Sequence, residues 1–134
     1  MNTPTFRARD LASGKWVTGD LIHNQKVTAT GLEPRTMVGG YEVDPKTVNM
    51  FTGVSDSSGH PIFDDDILEV TLTDQISIRK LVRFIPEKAA FCLANNYDFQ
   101  YNKKWDVWHH FDQQWVKETE AKVIGNIHDN PNML

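Results

Sequence analysis

The sequence predicts a mainly β protein, β-dominated α+β at most, built from short strands. Three observations carry this reading. Eight glycines and six prolines cut the chain into short pieces, because Gly supplies turn conformations and Pro removes a backbone donor. Apolar and polar residues alternate with a period of two over Leu68–Leu72, as on a half-buried strand. Only one stretch, around Trp115, carries apolar residues at helical spacing.

Taken in order, Lys15–Thr18 reads as a strand that leads through Gly19-Asp20 into Leu21–His23. Val48–Thr52 is rich in strand-forming residues, the polar run Ser55–Gly59 supplies a turn, and Ile62-Phe63 resumes after it. Leu68, Val70 and Leu72 then share one face of a strand, with Glu69 and Thr71 on the other. Ile78, Val82 and Phe84 outline the next strand, interrupted by Lys80, and Ala90–Ala94 fits a strand buried on both faces. Trp105, Trp108, Phe111 and Trp115 recur every three or four residues, so a short helix is predicted near 110–118. Ala121–Ile127 is apolar and β-branched close to the C-terminus. It should close a sheet against a strand from residues 67–94, with Gly125 at a bulge or a close backbone approach.

The chain has 134 residues, 40% of them apolar and 24% charged. That fits a single domain or two small ones, here 1–60 and 61–134, and argues against general disorder. No apolar run is long enough to span a membrane, and Met1–Thr5 lacks the pattern of a secretion signal. A cytoplasmic location is expected. Cys92 is the only cysteine, which excludes an intrachain disulfide and a thiolate zinc site; its apolar neighbours Phe91 and Leu93 make it a buried thiol. Net charge is −4, with residues 1–50 at +1 and 51–134 at −5. A nucleic-acid binder usually has a basic footprint, which this composition lacks.

Three blocks together resemble the YopX family of phage and prophage proteins, whose function is largely uncharacterised. The first is Phe6–Asp10 followed by Gly14–Ile22. The second runs from Val43–Val48 through Phe51–Asp56 and Gly59 to Ile62–Leu68. The third is Val123–Pro131 followed by Asn132–Leu134. The resemblance implies a β-dominated fold whose C-terminal part is an SH3-like barrel, in a bacterial host. It implies no activity, cofactor or catalytic residue. The family usually has Gly where this chain has Asp65; if the position needs a positive φ, Asp replaces Gly better than most residues do. Residues 95–120 match no block of the family.

Each candidate site also has a plainer reading. Asp64, Asp65 and Asp66 could bind Mg²⁺ or Ca²⁺, but neighbours on an extended chain alternate faces, so a solvated turn is favoured. His109 and Asp112 have the helical spacing of a metal pair, while His110 points elsewhere. Beside Trp108, these histidines fit the edge of an aromatic cluster. Tyr101–Trp105 mixes aromatics with Lys103 and Lys104, as single-strand binders do, yet Asp98, Asp106 and Asp112 would repel phosphate. Trp105, Trp108 and Trp115 are therefore candidates for core or a protein interface. No nucleophile motif and no phosphate loop occurs.

The expected function is that of a non-enzymatic phage or prophage accessory protein. It would be a β-rich interaction module without catalytic residues or cofactors, forming a homo-oligomer and engaging a phage or host protein. A nucleic-acid-associated SH3-like module is the alternative. A metal-dependent hydrolase on Asp64, Asp66 and His109 is the second alternative.

Overall fold

The computed structural model of the chain describes residues 5–94 and 111–134. It is mainly β, as the alternation and the turn punctuation predict. The chain forms two compact units, 1–51 and 52–134. The boundary expected at 60/61 lies nine residues beyond this break, in the turn after the strand that runs from one unit into the other.

In the first unit, β1 (Phe6–Arg9) pairs antiparallel with β2 (Trp16–Gly19) on one side and with the start of β6 (Asn49–Ser55) on the other. β3 (Leu21–Thr28), β4 (Gly31–Val38) and β5 (Tyr41–Glu42) form a second antiparallel sheet in that order. A short 3₁₀ turn, Pro45–Thr47, is capped by the Asp44 side chain, which accepts from the Lys46 N–H. The core of this unit is Ala8, Val38 and Val43, with Phe6, Val17, Leu21 and Val48 against it. Gly39 has a φ of +60°, and a Cβ there would run into the Thr18 carbonyl. Glycine is therefore required on both counts, and it lets the β4–β5 turn approach the end of β2.

In the second unit, the rest of β6 neighbours β7 (Pro61–Phe63). Four strands follow as an antiparallel sheet in the order β10-β9-β8-β11: β8 (Asp66–Thr73), β9 (Ile76–Ile85), β10 (Ala90–Ala94) and β11 (Lys122–Asn126). Alternation along β8 sends side chains to both faces. Leu68 and Val70 join Ile62, Val82, Leu93, Val116 and Ala121 in one cluster. Ile67 joins Leu81 and Ala94 in another, against which Ile124, Ile127, Met133 and Leu134 pack. Cover on both faces is confined to part of the sheet and explains the short apolar runs Ile67-Leu68, Leu81-Val82 and Cys92–Ala94. In β10, Cys92, Leu93 and Ala94 are buried while Ala90 is exposed. Burial pushes the Cys92 thiol upward, against a smaller lowering effect of Lys88.

The helix α1 spans Gln113–Thr119, inside the expected region to within a residue. Asp112 is its N-cap and accepts from the Trp115 N–H at 2.8 Å. Asp112 thus stands outside the helix, and its carboxylate serves as the cap. Val116 is fully buried, and Trp115 and Phe111 pack on the same cluster with their rings 6.1 Å apart, edge to face. β11 pairs antiparallel with β8 from Lys122↔Glu69 to Asn126↔Asp66, with a register shift between Val123 and Gly125. The closing strand and its glycine bulge are where the sequence places them. A Cβ on Gly125 would collide with the Asn130 side chain.

Candidate functional site

Where Ile62–Leu68 meets Val123–Pro131, polar side chains gather around the turn between β7 and β8. Phe63 and Asp66 flank this turn, and the Asp66 Oδ2 accepts from the Phe63 N–H at 2.8 Å, closing it. Asp64 faces the neighbouring strand and accepts from the Phe84 N–H at 3.1 Å. Asp65 sits between them with a φ of 70°, the left-handed region that the resemblance to a glycine position anticipates. Asp tolerates it better than most residues do.

Asp65 is buried and tied down by every polar group it has. Its N–H donates to Val82 O at 2.8 Å and its carbonyl accepts from Ile127 N at 3.0 Å. One carboxylate oxygen meets the Arg83 guanidinium, and the other lies 3.1 Å from His128 Nε2. His128 is placed by the turn after β11, where Asn126 Oδ1 accepts from the N–H groups of His128 and Asp129 at 3.0 and 2.8 Å. Asn126 Nδ2 also donates to Asp129 at 3.0 Å, and Asn130 Oδ1 accepts from Asn126 N. Asp65 is thereby a latch: it is ion-paired with Arg83 on β9 and hydrogen-bonded to His128 and the Ile127 N–H of the C-terminal turn.

A second carboxylate does similar work nearby. Asp56 is buried in the turn after β6. Its Oδ1 accepts from Ser58 N and His60 N, both at 2.9 Å, and its Oδ2 accepts from Val123 N at 3.0 Å. His60 Nδ1 stands 3.5 Å away. The turn is therefore fastened to the start of β11 by one side chain.

The two environments drive the acids in opposite directions. Burial works to raise Asp56, but the N–H groups of Val123, His60 and Ser58 outweigh it and hold the carboxyl below its ordinary 3.8. Burial dominates at Asp64, reinforced by the Asp65 charge, and pushes it above 3.8. A raised folded-state value means the fold holds the proton more tightly than the unfolded chain. Asp64 therefore adds stability as pH falls through its raised value toward 3.8 and costs stability at neutral pH. Asp64→Asn keeps an oxygen for Phe84 N and carries no charge. It is expected to unfold at higher urea than the parent at pH 7, with the gap closing below pH 4; a lower midpoint at pH 7 would show that the charge is favourable there.

Substitutions at Asp65 separate backbone from ionic effects. Asp65→Gly loses the latch but relaxes the left-handed backbone, whereas Asp65→Ala loses the latch and keeps the strain. Gly is expected to be the more stable of the two by about 1 kcal/mol. Equal melting of the two variants would show that φ plays no part.

Asp64 and Asp66, the acidic pair weighed for a metal, thus hold two different backbone N–H groups. Among the described residues no group of three or more His, Cys, Asp or Glu gathers closely enough to hold a metal ion. His109, Trp105 and Trp108 lie outside the described residues, and Trp115 is half-buried against the core of the second unit. Sequence reasoning passed over Arg83, His128 and Asp56 as site residues. The last two fall inside the quoted blocks, which was the available signal, while Arg83 reads as an ordinary strand residue.

The chain is similar in fold to the crystal structure of protein EF1440 from Enterococcus faecalis. The TM-score is 0.58 at 19% identity, over 100% of this chain and 99% of that one. No curated protein matches it. The blocks that meet at Asp65 and Asp56 are the ones that carried the resemblance, and the family model described as YopX protein matches residues 5–134. The chain belongs to the YopX family.

Proposed function

We propose that this protein is a non-enzymatic interaction module, a cytoplasmic phage or prophage accessory protein that acts by self-association and by engaging a phage or host protein. The observation that carries the proposal is the apolar surface of the β3–β4 hairpin. Ile22, Val27 and Leu32 are 52%, 84% and 63% exposed, and Val27 and Leu32 stand side by side as a cross-strand pair. Ile22 lies on the opposite face, and the Val27–Leu32 pair forms the grouped apolar surface that favours association. The polar clusters of the second unit support the same reading, since their carboxylates are spent on backbone N–H groups and an ionic latch. Light scattering over a dilution series tests it: a mass above one chain that falls on dilution is expected. A mass of one chain at every concentration would defeat self-association.

A nucleic-acid-associated SH3-like module is the second reading. It draws on Arg7 and Arg9, whose guanidinium carbons lie 4.8 and 5.1 Å from the Trp16 ring centre. Cation and ring together suit base stacking. Both arginines are also engaged internally, Arg7 with Asn49 and Arg9 with the Gly14 carbonyl, which places this reading behind the first. Salt-dependent retention on single-stranded DNA that is lost in Trp16→Ala would reverse the order.

A further inference from the structure

We infer that β3 is the self-association edge: two copies of the chain pair their β3 strands antiparallel about a two-fold axis at Gln25, extending the β3–β4–β5 sheet across both. The inference rests on the self-association reading above and assigns it a strand, a register and a partner, a second copy of this chain.

β3 stands at the end of its sheet, with β4 as its neighbour. Its ladder with β4 runs without a break from Leu21↔Val38 to Thr28↔Gly31. It contains eight residues with neither proline nor glycine. Edge strands are normally protected by shortness, proline, a bulge or a projecting lysine. Among the described residues the other edge strands are shorter or interrupted: β10 has five residues, β2 four, β7 three and β5 two, and β11 carries the register shift. On β3 the one lysine, Lys26, is drawn back over the sheet into a salt bridge with Glu42 at 2.9 Å. Its charge is therefore directed away from the open edge.

Hydrogen-bond alternation identifies the groups that this edge offers. A two-residue connection, Ala29-Thr30, closes on the Thr28/Gly31 pair, so bonded pairs fall at Thr28, Lys26, Asn24 and Ile22. The N–H and C=O groups of Val27, Gln25 and His23 then point away from β4. Pro34 stands opposite Gln25, where a residue with no N–H is tolerated because that pair is not bonded. The same proline denies a donor to the outer edge of β4, which leaves β3 as the pairing edge of this hairpin.

A strand of identical sequence fits this pattern. Centring the two-fold on Gln25 bonds Gln25 to the partner's Gln25 and His23 to the partner's Val27. In the same register Ile22 faces the partner's Thr28, and Lys26 faces the partner's Asn24. No like charges oppose each other. A shift of the centre to Asn24 would instead set Ile22 against the partner's Lys26. The exposed side chains of Ile22 and Val27 are covered on opposite faces of the joint.

Sedimentation velocity of the full chain over a dilution series, on the parent and three variants, tests the inference. Gln25→Pro removes only the outward N–H and is expected to weaken self-association at least tenfold, with far-UV dichroism and melting kept close to the parent. Val27→Lys, which leaves the β3–β4 bonds in place, gives the same readout should the proline variant fail to fold. Leu72→Lys, an exposed apolar residue on the β8–β9 hairpin, is expected to leave association unchanged. With Cys92 buried, oxidised Gln25→Cys is expected to run as a disulfide-linked dimer, since bonded antiparallel pairs stand at about 5.5 Å between Cα atoms, within disulfide reach. Association that persists undiminished in both Gln25→Pro and Val27→Lys overturns the edge assignment and leaves self-association standing. Association lost in them with no cross-link in Gln25→Cys overturns the Gln25-centred register. A chain that is monomeric in every sample overturns both readings and leaves the edge to a strand of another protein.

Discussion

Deleting residues 122–134 is expected to unfold the second unit at room temperature. The deletion removes β11 and every pair it makes with β8, from Lys122↔Glu69 to Asn126↔Asp66. It also strips Ile124, Ile127, Met133 and Leu134 from the cluster of Ile67, Leu81 and Ala94. Each large apolar side chain is worth about 1.5–3 kcal/mol when fully buried, and these four are partly buried, so their loss alone costs roughly 4–6 kcal/mol. Asp56 loses its bond from Val123, and Asp65 loses both His128 and the Ile127 N–H. Against a total stability of about 5–15 kcal/mol, little remains. Removing only Asn132–Leu134 costs less, about 1–3 kcal/mol, from the Met133 and Leu134 contacts and from the Arg79 bond to the Met133 carbonyl. Thermal unfolding of both truncations beside the full chain is the check. A longer deletion that melts cooperatively within a few degrees of the parent would remove β11 from the ladder.

Asp56→Ala has the second largest expected effect, about 3–4 kcal/mol. Three backbone N–H groups, on Ser58, His60 and Val123, lose their acceptor together, and each buried donor left unmatched costs about 1–3 kcal/mol before local relaxation. Asp56→Asn keeps one oxygen and turns an amide N–H₂ toward a donor, so it should cost about 2 kcal/mol. The pH dependence follows from the lowered carboxyl. A folded-state value below the unfolded 3.8 contributes stability that is complete above 3.8 and lost as pH falls through the folded value. The gap between parent and Asp56→Asn in urea unfolding is therefore wide at pH 7 and narrows below pH 4. A constant gap across that range would show that the charge on Asp56 is not what holds Val123.

The strands that build the two-sided sheet were legible in the sequence because burial writes itself into residue order. Leu68 and Val70 sit on one face and Ile67 on the other, and Ala121–Ile127 is too apolar for a tail. The β3–β4 hairpin beyond His23 was not legible. Its residues 24–37 are largely exposed on both faces, so no alternation marks them, and Pro34 argues against a strand unless its open side is known. The glycine bulge at Gly125 and, through the family resemblance, the left-handed backbone at Asp65 were anticipated. The turn expected to be solvated at Asp64–Asp66 instead buries Asp65 and Asp66, because the segments that pair with them are distant in sequence.

By itself the sequence determined the fold class, the closing strand, the short helix and the buried thiol, because each depends on local pattern and on which side chains must leave water. Tertiary structure alone decided the roles of the carboxylates. Asp56 and Val123 are 67 positions apart, and Asp65 is separated by 18 from Arg83 and by 63 from His128. A carboxylate in a sequence reads the same whether it faces water, a metal, a cation or a backbone N–H. Its partners are fixed by how distant segments pair, and that pairing is set by the packing of the whole unit.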